Sequence, residues 1–311
     1  MLETPSQLPY PSFVMNFPFS LSTEFPNNKW MKQLSPRLRQ INKPKAYRQF
    51  MDLYNFVSSS GLVYLLPSYQ NLYQDLVYIS SIGIYLPHIT DRNIIILGNF
   101  TSKPRQGEES IGKPFFELMN YETINCPHKW EGEAELKYLY DNIYIGGYGI
   151  RSEIKAYEWM EEKFNMKIIK LKMTYEGSYH LDCSVFPLTP TKTLVSYNSN
   201  FTKEELLEIS KVTEIINIGP NDLLNGLCNS VRINDTVLSG SDVPDLTIDD
   251  HGYEQAKESV ATLEKLCAQE NLEPVIFSMS EFGKSGAALS CLFMHLNYNR
   301  YNKIKNGVKV T

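Results

Sequence analysis

The 311-residue sequence predicts one compact α/β domain, residues 1–311, made of about five small mixed units. Short runs rich in β-branched and aromatic residues recur at an even pace, as strands do, and segments with a period near 3.6 residues lie between them. Two or three strand-like runs separate successive helices. This spacing argues against a doubly wound parallel sheet, in which strands and helices alternate one to one.

The individual elements follow from these two patterns. The predicted strands are Leu62–Leu66, Leu76–Leu86, Asn93–Gly98, Asn142–Tyr148, Met166–Met173, His180–Leu188, Thr193–Tyr197, Val212–Ile218, Pro274–Met279 and Ala288–Leu296. The predicted helices are Leu38–Phe56, Glu108–Met119, Ser152–Phe164, Lys203–Ser210 and Tyr253–Gln269. Thr202, followed by early carboxylates, marks the start of the fourth helix, and Asp249 or Asp250 offers the same signal for the fifth.

The composition is that of an ordinary globular protein, with 42% hydrophobic and 21% charged residues, which excludes a disordered or collagen-like chain. There are 30 Lys plus Arg against 35 Asp plus Glu, a formal charge of -5, and no dense basic run. Nucleic acid and acidic membranes are therefore poor partners. Apolar stretches such as Leu76–Leu86 are shorter than the roughly 20 residues that span a bilayer. The N-terminal segment lacks the basic and apolar regions of a signal peptide.

The five cysteines are odd in number, scattered, and without a C-x-x-C pair. This pattern argues against a disulfide framework and against a structural zinc or iron–sulfur site. Reduced thiols fit a reducing compartment, and we expect the protein to be cytoplasmic. Four of the five, Cys126, Cys183, Cys228 and Cys267, are predicted to be structural.

The first candidate for chemistry is the segment from His180 to Asp182. On a strand, residues i and i+2 point to the same face, so we expect the imidazole and the carboxylate to lie side by side. A carboxylate beside an imidazole raises its basicity and orients it, as a general acid or base requires. The alternative is a surface histidine with a chance acidic neighbour.

The second candidate is Cys291, which follows a run of small residues from Ser285 to Ala288. Small side chains allow a ligand to approach the backbone and the thiol closely. The alternative is an inert core thiol, because free cysteines are among the most buried residues in proteins.

The third candidate is the acidic segment with Glu131, Glu133 and Glu135, which is followed by a glycine-rich turn and Arg151. Three alternating carboxylates on one side of an extended chain repel one another, so they need solvent, protons or a cation. A guanidinium is a cation that carboxylates hold with paired hydrogen bonds. The alternative is an exposed acidic edge.

In this order the three segments resemble the guanidine-modifying superfamily, which includes arginine deiminases, dimethylarginine dimethylaminohydrolases, amidinotransferases and arginine dihydrolases. The resemblance extends over nearly the whole chain and is best with the short hydrolases of the dimethylarginine dimethylaminohydrolase and arginine dihydrolase kind. Four motifs add support. Asn28–Met31 resembles the family's Asn-Pro-Trp-Met, Asp75–Gly83 its Asp-Met-Val-Phe-Thr-Ala-Asn-Ala-Gly, Pro104–Glu109 its Glu-Arg-Gln-Gly-Glu-Glu, and Glu131–Glu135 its Glu-Gly-Glu-Gly-Asp.

The resemblance implies the pentein fold, a five-bladed α/β propeller of ββαβ units around a central site. It also implies a cysteine-dependent hydrolase that acts on arginine or an N-substituted arginine through a covalent thiouronium intermediate and releases ammonia or an amine. Such an enzyme needs no metal and no organic cofactor. Cys291 would be the nucleophile and His180 the general acid and base. Asp182 and Glu131 would hold the guanidinium, with Glu133 as the alternative to Glu131.

The resemblance implies further substrate-binding residues. Arg105 and Arg151 would pair with the substrate's α-carboxylate, and Asn28 would lie near the site. Where the family has Asp or Asn to contact the guanidine, this sequence has Ser81, which is neutral and short, while Asp75 lies six residues earlier at an even spacing. This departure bears on which guanidino compound binds and on whether arginine is hydrolysed once or twice.

Two other functions stay open at this stage. An amidinotransferase would share the covalent step and pass the amidino group to an amine. A non-catalytic pentein would serve as a binding module. The predicted partner is a small guanidino compound, without nucleic acid or membrane, and the chain is a candidate homo-oligomer.

Overall fold

The structure is a computed structural model that describes residues 4–67, 73–189 and 193–298. These ranges contain five sheets of three strands each. Their strands are β1 Ser12–Met15, β2 Leu62–Leu65, β3 Gly83–Tyr85, β4 Ile94–Leu97, β5 Glu122–Asn125, β6 Leu136–Tyr140, β7 Ile143–Tyr148, β8 Lys167–Lys172, β9 Val185–Thr189, β10 Thr193–Ser196, β11 Glu214–Asn217, β12 Val231–Ile233, β13 Thr236–Ser241, β14 Glu273–Ser278 and β15 Met294–His295.

The five predicted helices form, with small shifts at their ends. The helices in the described ranges are α1 Lys29–Gln33, α2 Lys43–Ser60, α3 Glu109–Leu118, α4 Ile154–Phe164, α5 Lys203–Ser210, α6 Pro220–Leu224, α7 Tyr253–Gln269 and α8 Ser280–Gly283. The start of α2 lies at Lys43 rather than Leu38, because Asn42 caps it and Pro44 has no N–H with which to extend the helix upstream.

The two predicted helix caps have different outcomes. Thr202 caps α5 as predicted, since its side chain accepts a hydrogen bond from the backbone N–H of Glu205. The predicted cap of α7 at Asp249 or Asp250 is wrong, because Gly252 precedes the helix. The carboxylate of Asp250 instead accepts a hydrogen bond from the backbone N–H of Thr247 at 2.6 Å and closes a separate turn.

All five sheets follow one plan, and each sheet with its helix is called a blade here. The middle strand pairs antiparallel with one neighbour and parallel with the other, and the helix connects the parallel pair. Blades 2 to 5 have the strand orders β3-β4-β5, β6-β7-β8, β9-β10-β11 and β12-β13-β14, with helices α3, α4, α5 and α7. Blade 1 has the order β15-β1-β2 with α2. This is the predicted α/β pentein fold of five ββαβ units, which is confirmed.

The hydrophobic core lies between each helix and its sheet. In blade 5, Leu263 and Leu266 of α7 share a buried cluster with Val237 of β13. In blade 3, Tyr157 of α4 shares another with Tyr144 of β7. The buried helix residues recur every three or four positions, which is the spacing that predicted the helices.

The first strand of each blade lies toward the centre of the five blades. Strand β3 contacts β15 and β6 contacts β9 across blade boundaries. A tight turn precedes each of these inner strands, and these five turns are called the central turns. In each of them a backbone N–H donates to the carbonyl three residues earlier, in the pairs Ile82–Ile79, Glu135–Gly132, Ser184–Leu181, Asn229–Gly226 and Phe293–Ser290.

Three predicted strands are wrong over their first halves, because they contain central turns. Leu76–Leu86, His180–Leu188 and Ala288–Leu296 each hold a 3₁₀ turn followed by a short strand. When a short segment is buried on all sides, its residues are apolar throughout and show no alternation with polar residues. The sequence then cannot distinguish a strand from a turn. Five short strands, β1, β5, β6, β12 and β13, were not predicted.

The positions of two candidate motifs therefore change. His180 is extended but Asp182 lies in the 3₁₀ turn Leu181–Cys183, so the prediction that both share one strand face is wrong. The acidic segment is also not extended, because it turns at Gly132–Ala134. In the described part of the chain, no helix has the combination of length and apolar character that crossing a lipid bilayer requires.

Candidate active site

The thiol of Cys291 lies beside the carboxylate of Asp182. Cys291 belongs to the central turn before β15 and Asp182 to the one before β9, and Sγ is 3.9 Å from Oδ2. The hydroxyl of Ser290 donates a hydrogen bond to the same Oδ2 at 2.9 Å. Both Cys291 and Asp182 are buried. The central turns of blades 4 and 1 are thus tied together at the sulfur.

The electrostatics of this contact keep the thiol protonated. Burial, together with the negative charge of Asp182, raises the pKa of the Cys291 thiol to about 12. The resting thiol is therefore neutral at pH 7 and a poor nucleophile. A thiolate becomes favourable when a positive charge arrives nearby, because a cation lowers the pKa of an adjacent thiol.

Asp182 has a second thiol as its neighbour. The Sγ of Cys183 lies 3.7 Å from Oδ1, on the other side of the carboxylate from Cys291. Across residues 4–67, 73–189 and 193–298, no Lys, Arg or His side chain forms a hydrogen bond or an ion pair with Asp182. A buried carboxylate without a counter-ion is costly, so this position favours the binding of a cation.

The imidazole of His180 is held by Glu131. Nε2 of His180 is 2.7 Å from Oε2 of Glu131, and Nη1 of Arg151 donates to the same oxygen at 3.1 Å. The other oxygen accepts hydrogen bonds from the backbone N–H groups of Thr101 and Ser102 at 3.0 and 3.2 Å. Burial disfavours the charge of Glu131, but Arg151 and His180 more than offset this, so its pKa lies well below the usual range. Glu131 is an ionised anchor.

This contact also determines which nitrogen of His180 is basic. An ionised carboxylate only accepts hydrogen bonds, so Nε2 carries the proton. Burial lowers the pKa of His180, and the bond to Glu131 offsets this only in part, so the ring is neutral at pH 7. Nδ1 is then the nitrogen that can take up a proton. The ring of Tyr179 packs against the imidazole with 4.7 Å between the ring centroids and restricts its orientation.

Both predicted carboxylate-binding arginines contact carboxylates of the chain itself. Arg151 is bonded to Glu131, as described above. Nη2 of Arg105 donates to Glu108 at 2.7 Å, and its Nη1 donates to the hydroxyl of Ser81 at 3.0 Å. Burial raises the pKa of Glu108 to about 7, although the charge of Arg105 opposes this shift. The role of both arginines toward a substrate α-carboxylate stays a prediction.

Ser81 and Asp75 lie on the Arg105 side of the site. The carbonyl of Asp75 is 3.5 Å from Nη2 of Arg105, and its carboxylate accepts a hydrogen bond from Nδ2 of Asn27 at 2.6 Å. Burial raises the pKa of Asp75. The segment is not the predicted strand, yet both residues do contact the same guanidinium.

Asn28 connects the N-terminal helix α1 to the segment before the thiol. Its side chain accepts a hydrogen bond from the backbone N–H of Met31 and so caps α1, and it donates to the carbonyl of Ser285 at 2.8 Å. Gly286 has φ +78, and a Cβ there would lie 2.6 Å from Oδ1 of Asn28. The small residue at this position therefore leaves room for Asn28, and Gly286 also lines the cleft described below, so the prediction of room for a ligand stays a prediction.

The three carboxylates of the acidic segment have different partners. Glu131 contacts His180 and Arg151, whereas both oxygens of Glu133 bond to His295, one to Nδ1 at 2.5 Å and one to the backbone N–H at 2.8 Å. Glu135 accepts a hydrogen bond from the backbone N–H of Leu181 at 3.1 Å, and burial raises its pKa well above the usual range. The predicted row of carboxylates on one side is therefore wrong, because the 3₁₀ turn separates them. Glu131, and not Glu133, lies beside His180.

Two residues near the Cys291–Asp182 contact were not predicted as site residues. Oδ1 of Asn229 is 3.6 Å from Sγ of Cys291, and Cys183, predicted to be structural, is only half-buried and contacts Asp182. No motif marks Asn229. Its place in a central turn, two residues before the inner strand β12, is visible only in the structure, because neither that strand nor its turn was predicted. The remaining cysteines, Cys126, Cys228 and Cys267, are buried.

A cleft of about 450 Å³ lies near the Cys291–Asp182 contact and is lined by neighbours of these two residues, though not by the two residues themselves. Cys183, Asn229 and Ala288 line it on the side of the thiol, and Trp30 and Tyr175 are among its aromatic residues. The volume lies in the range of small-molecule sites, roughly 300–1,000 Å³. Within the described ranges, no three His, Cys, Asp or Glu side chains are grouped as ligands for a metal ion.

The chain has the pentein fold, in which five α/β blades surround the turns that carry the thiol, the imidazole and the carboxylates of the site. The N-terminal domain of the cyanobacterial arginine dihydrolase ArgZ, bound to its substrate, has a similar structure. Its TM-score is 0.77 at 22% identity, over 92% of this chain and 98% of that domain. A dimethylarginine dimethylaminohydrolase adduct with S-methyl-L-thiocitrulline has a TM-score of 0.66 at 16% identity, over 92% of this chain and 99% of that one.

Similar sequences include two bifunctional enzymes. The arginine dihydrolase/ornithine cyclodeaminase AgrE of Nostoc sp. is 24% identical over 91% of this chain and 37% of its own length. ArgZ of Synechocystis sp. is 22% identical over 86% of this chain and 35% of its own length. The chain thus spans little more than a third of either enzyme. An uncharacterised protein of Caenorhabditis elegans is 26% identical over 90% of this chain and 91% of its own length. No protein-family model matches the chain.

Proposed function

We propose that the chain is a cysteine-dependent hydrolase of a guanidino compound, arginine or an N-substituted arginine. The observation that carries this proposal is the buried carboxylate of Asp182, which lies 3.9 Å from Sγ of Cys291 and lacks a cationic partner among the described residues. A guanidinium is a planar cation that binds a carboxylate through two N–H groups. A guanidinium bound to Asp182 has its central carbon beside the thiol. The similar ArgZ domain, captured with a covalent reaction intermediate, supports the proposal.

The substrate supplies the charge that activates the thiol. The bound guanidinium stabilises a thiolate next to it and so lowers the pKa that burial and Asp182 raise at rest. The thiolate of Cys291 attacks the guanidine carbon and forms a C–S bond. A C–N bond of the tetrahedral adduct then breaks, the departing nitrogen takes a proton, and ammonia or an amine leaves. A thiouronium group remains on the sulfur.

His180 moves the protons in this scheme. Its neutral ring takes the thiol proton at Nδ1 and returns it to the departing nitrogen. Nδ1 then accepts a proton from a water molecule that attacks the thiouronium carbon. The C–S bond breaks, the thiolate leaves, and a ureido product such as citrulline forms. A second hydrolysis, of that product, would give ornithine, ammonia and carbon dioxide.

Product analysis with arginine and with an N-methylated arginine tests the proposal, by measuring citrulline, ornithine, ammonia and amine. We expect product from the unmodified chain and a mass adduct on Cys291. The Cys291→Ala variant should lose at least about 10⁴-fold in turnover, because the nucleophile is removed. Cys126→Ala is the matched control, since Cys126 is buried in a hydrophobic cluster of blades 2 and 3 and should leave turnover unchanged.

The outcomes separate the functions that the sequence left open. Transfer of the amidino group to an added amine such as glycine would identify an amidinotransferase. The hydrolase proposal fails if no guanidino compound gives product and Cys291 forms no adduct with any of them.

A further inference from the structure

The central turn of blade 5 carries a polar residue that has no role in the function proposed above. Asn229 ends this turn, its backbone N–H donating to the carbonyl of Gly226 at 2.8 Å. Its side chain is buried and forms part of the cleft wall next to the thiol. The turns of the other blades bring Ser81, Glu131, Asp182 and Cys291 to the site.

The orientation of the Asn229 amide follows from its partners. The backbone N–H of Ser290 donates to Oδ1 of Asn229 at 2.9 Å, and also to its backbone carbonyl at 3.1 Å. An N–H group only donates, so the amide oxygen and not its nitrogen faces this segment. The same oxygen lies 3.6 Å from Sγ of Cys291, within reach of the thiol proton.

Asn229 and Asp182 together hold the segment that carries the thiol. Ser290 is bonded at its backbone to Asn229 and at its hydroxyl to Asp182. Cys291 contacts the same two side chains, with Sγ 3.6 Å from Oδ1 of Asn229 and 3.9 Å from Oδ2 of Asp182. The sulfur therefore contacts both an amide of blade 5 and a carboxylate of blade 4.

We propose that Asn229 is a positioning residue for Cys291, whose amide oxygen holds the central turn of blade 1 and directs the sulfur toward a cation bound at Asp182. The kinetic consequence rests on the hydrolase function proposed above, whereas the contact itself does not. Misplacing a nucleophile by about 1 Å is enough to cost roughly 10²-fold in rate. Asn229 acts on the sulfur, so its loss affects the chemical step more than substrate binding.

Two variants test the contact, with different readouts. Asn229→Ala removes the amide oxygen, and we expect kcat to fall about 10- to 100-fold while KM changes less than about twofold. Asn229→Asp has nearly the same shape and keeps an acceptor for Ser290, but it places a second negative charge at the sulfur. Alkylation of Cys291 by iodoacetamide at pH 8 without substrate, followed by peptide mass spectrometry, should slow about tenfold or more.

A control variant distinguishes the loss of the Asn229 contact from the loss of any asparagine side chain that bonds to the backbone. Asn142→Ala is the matched control, since the Asn142 side chain also bonds to the backbone of another segment, here as a donor to the carbonyl of Asn165 at an exposed turn away from the site. It should leave both readouts unchanged. The inference is overturned if Cys291 in Asn229→Asp is alkylated within twofold of the unmodified rate, or if Asn229→Ala keeps full kcat. If the unmodified chain turns over no guanidino compound, the proposed function fails, and alkylation of Asn229→Asp alone decides the positioning role.

Discussion

The two halves of the site differ in how their charges are balanced. In the half on blades 2 and 3, called the paired half here, Glu108 forms an ion pair with Arg105 at 2.7 Å and Glu131 forms one with Arg151 at 3.1 Å. In the half on blades 4 and 1, called the unpaired half here, the carboxylate of Asp182 contacts two thiols and a hydroxyl. Both halves are buried, so water does not screen the difference. The paired half is suited to hold a fixed shape, and the unpaired half is suited to receive a cation.

This difference has a consequence for turnover in the proposed reaction. A buried carboxylate without a counter-ion raises the free energy of the resting site, and a bound guanidinium lowers it again. Hydrolysis converts the guanidinium into a neutral ureido group. The attraction to Asp182 is then lost, so the same charge that favours substrate binding also favours release of the product.

The largest expected effect is that of Asp182→Asn, which removes the charge of the unpaired half. Turnover should fall about 10²- to 10³-fold, because the cation loses its partner in the ground and transition states. Alkylation of Cys291 by iodoacetamide without substrate should instead become faster, because the charge of Asp182 raises the thiol pKa. Kinetics and peptide mass spectrometry measure the two changes.

Ser290→Ala is the control for this variant, since it removes the hydroxyl bonded to Asp182 and keeps the charge. It should not accelerate alkylation. If Asp182→Asn slowed both turnover and alkylation, Asp182 would act through the shape of the site and not through its charge.

The second expected effect is a loss in the free energy of unfolding when an ion pair of the paired half is broken. Glu131→Gln leaves Arg151 and His180 without an anionic partner in the interior, which should cost about 3–5 kcal/mol in the free energy of unfolding by urea. Glu122→Gln breaks the exposed ion pair with Arg92 and is the matched control, with no measurable change expected. Equal shifts in the two variants would contradict the distinction between a buried and a solvated pair.

The free energy of unfolding should also depend on pH through Glu131. The pKa of Glu131 is lower in the folded chain than its ordinary value of 4.5. Ionised Glu131 therefore contributes to the free energy of unfolding above that pH. The contribution is lost as the pH falls below 4.5 toward the folded pKa. Glu131→Gln should therefore be less sensitive to acid than the unmodified chain, in the same urea titrations repeated from pH 6 to 3.

Local patterns were enough to predict the outer parts of the blades. The helix α5 begins directly after its capping residue Thr202, and α7 occupies its predicted range through its amphipathic period alone. A cap and an amphipathic period are both properties of neighbouring residues. The sequence also predicts Cys291, Asp182 and Glu131 as site residues, first from the chemistry of these side chains and then from the resemblance to a family.

The central turns could not be predicted in the same way. The separation of Glu131 from Glu133, and the position of Asp182 in a turn, depend on hydrogen bonds made where several blades meet. Asn229 approaches Cys291 across 62 positions of sequence, and no local pattern records such a contact. The fold therefore follows largely from local signals, whereas the charge balance of the site depends on long-range packing.

The third effect is the pH profile of the resting thiol. Because the pKa of Cys291 is raised to about 12, its alkylation without substrate should rise by about tenfold per pH unit between pH 7 and 9 and reach no plateau. Rate constants from peptide mass spectrometry at each pH give the profile. A plateau below pH 9 would show that the thiolate forms at rest, without any help from a substrate cation.

The smallest effect comes from the second thiol of the unpaired half. Cys183→Ser replaces a weak S–H donor, 3.7 Å from Oδ1 of Asp182, by a stronger O–H donor. A better hydrogen bond to Asp182 makes a bound cation less favourable, so KM should rise about threefold, the equivalent of one modest hydrogen bond, with kcat unchanged. Cys183→Ala removes the donor and should leave KM unchanged or lower it. If both variants raised KM equally, the size of the Cys183 side chain would be what matters for substrate binding. The strength of its hydrogen bond to Asp182 would then not determine how well a cation binds.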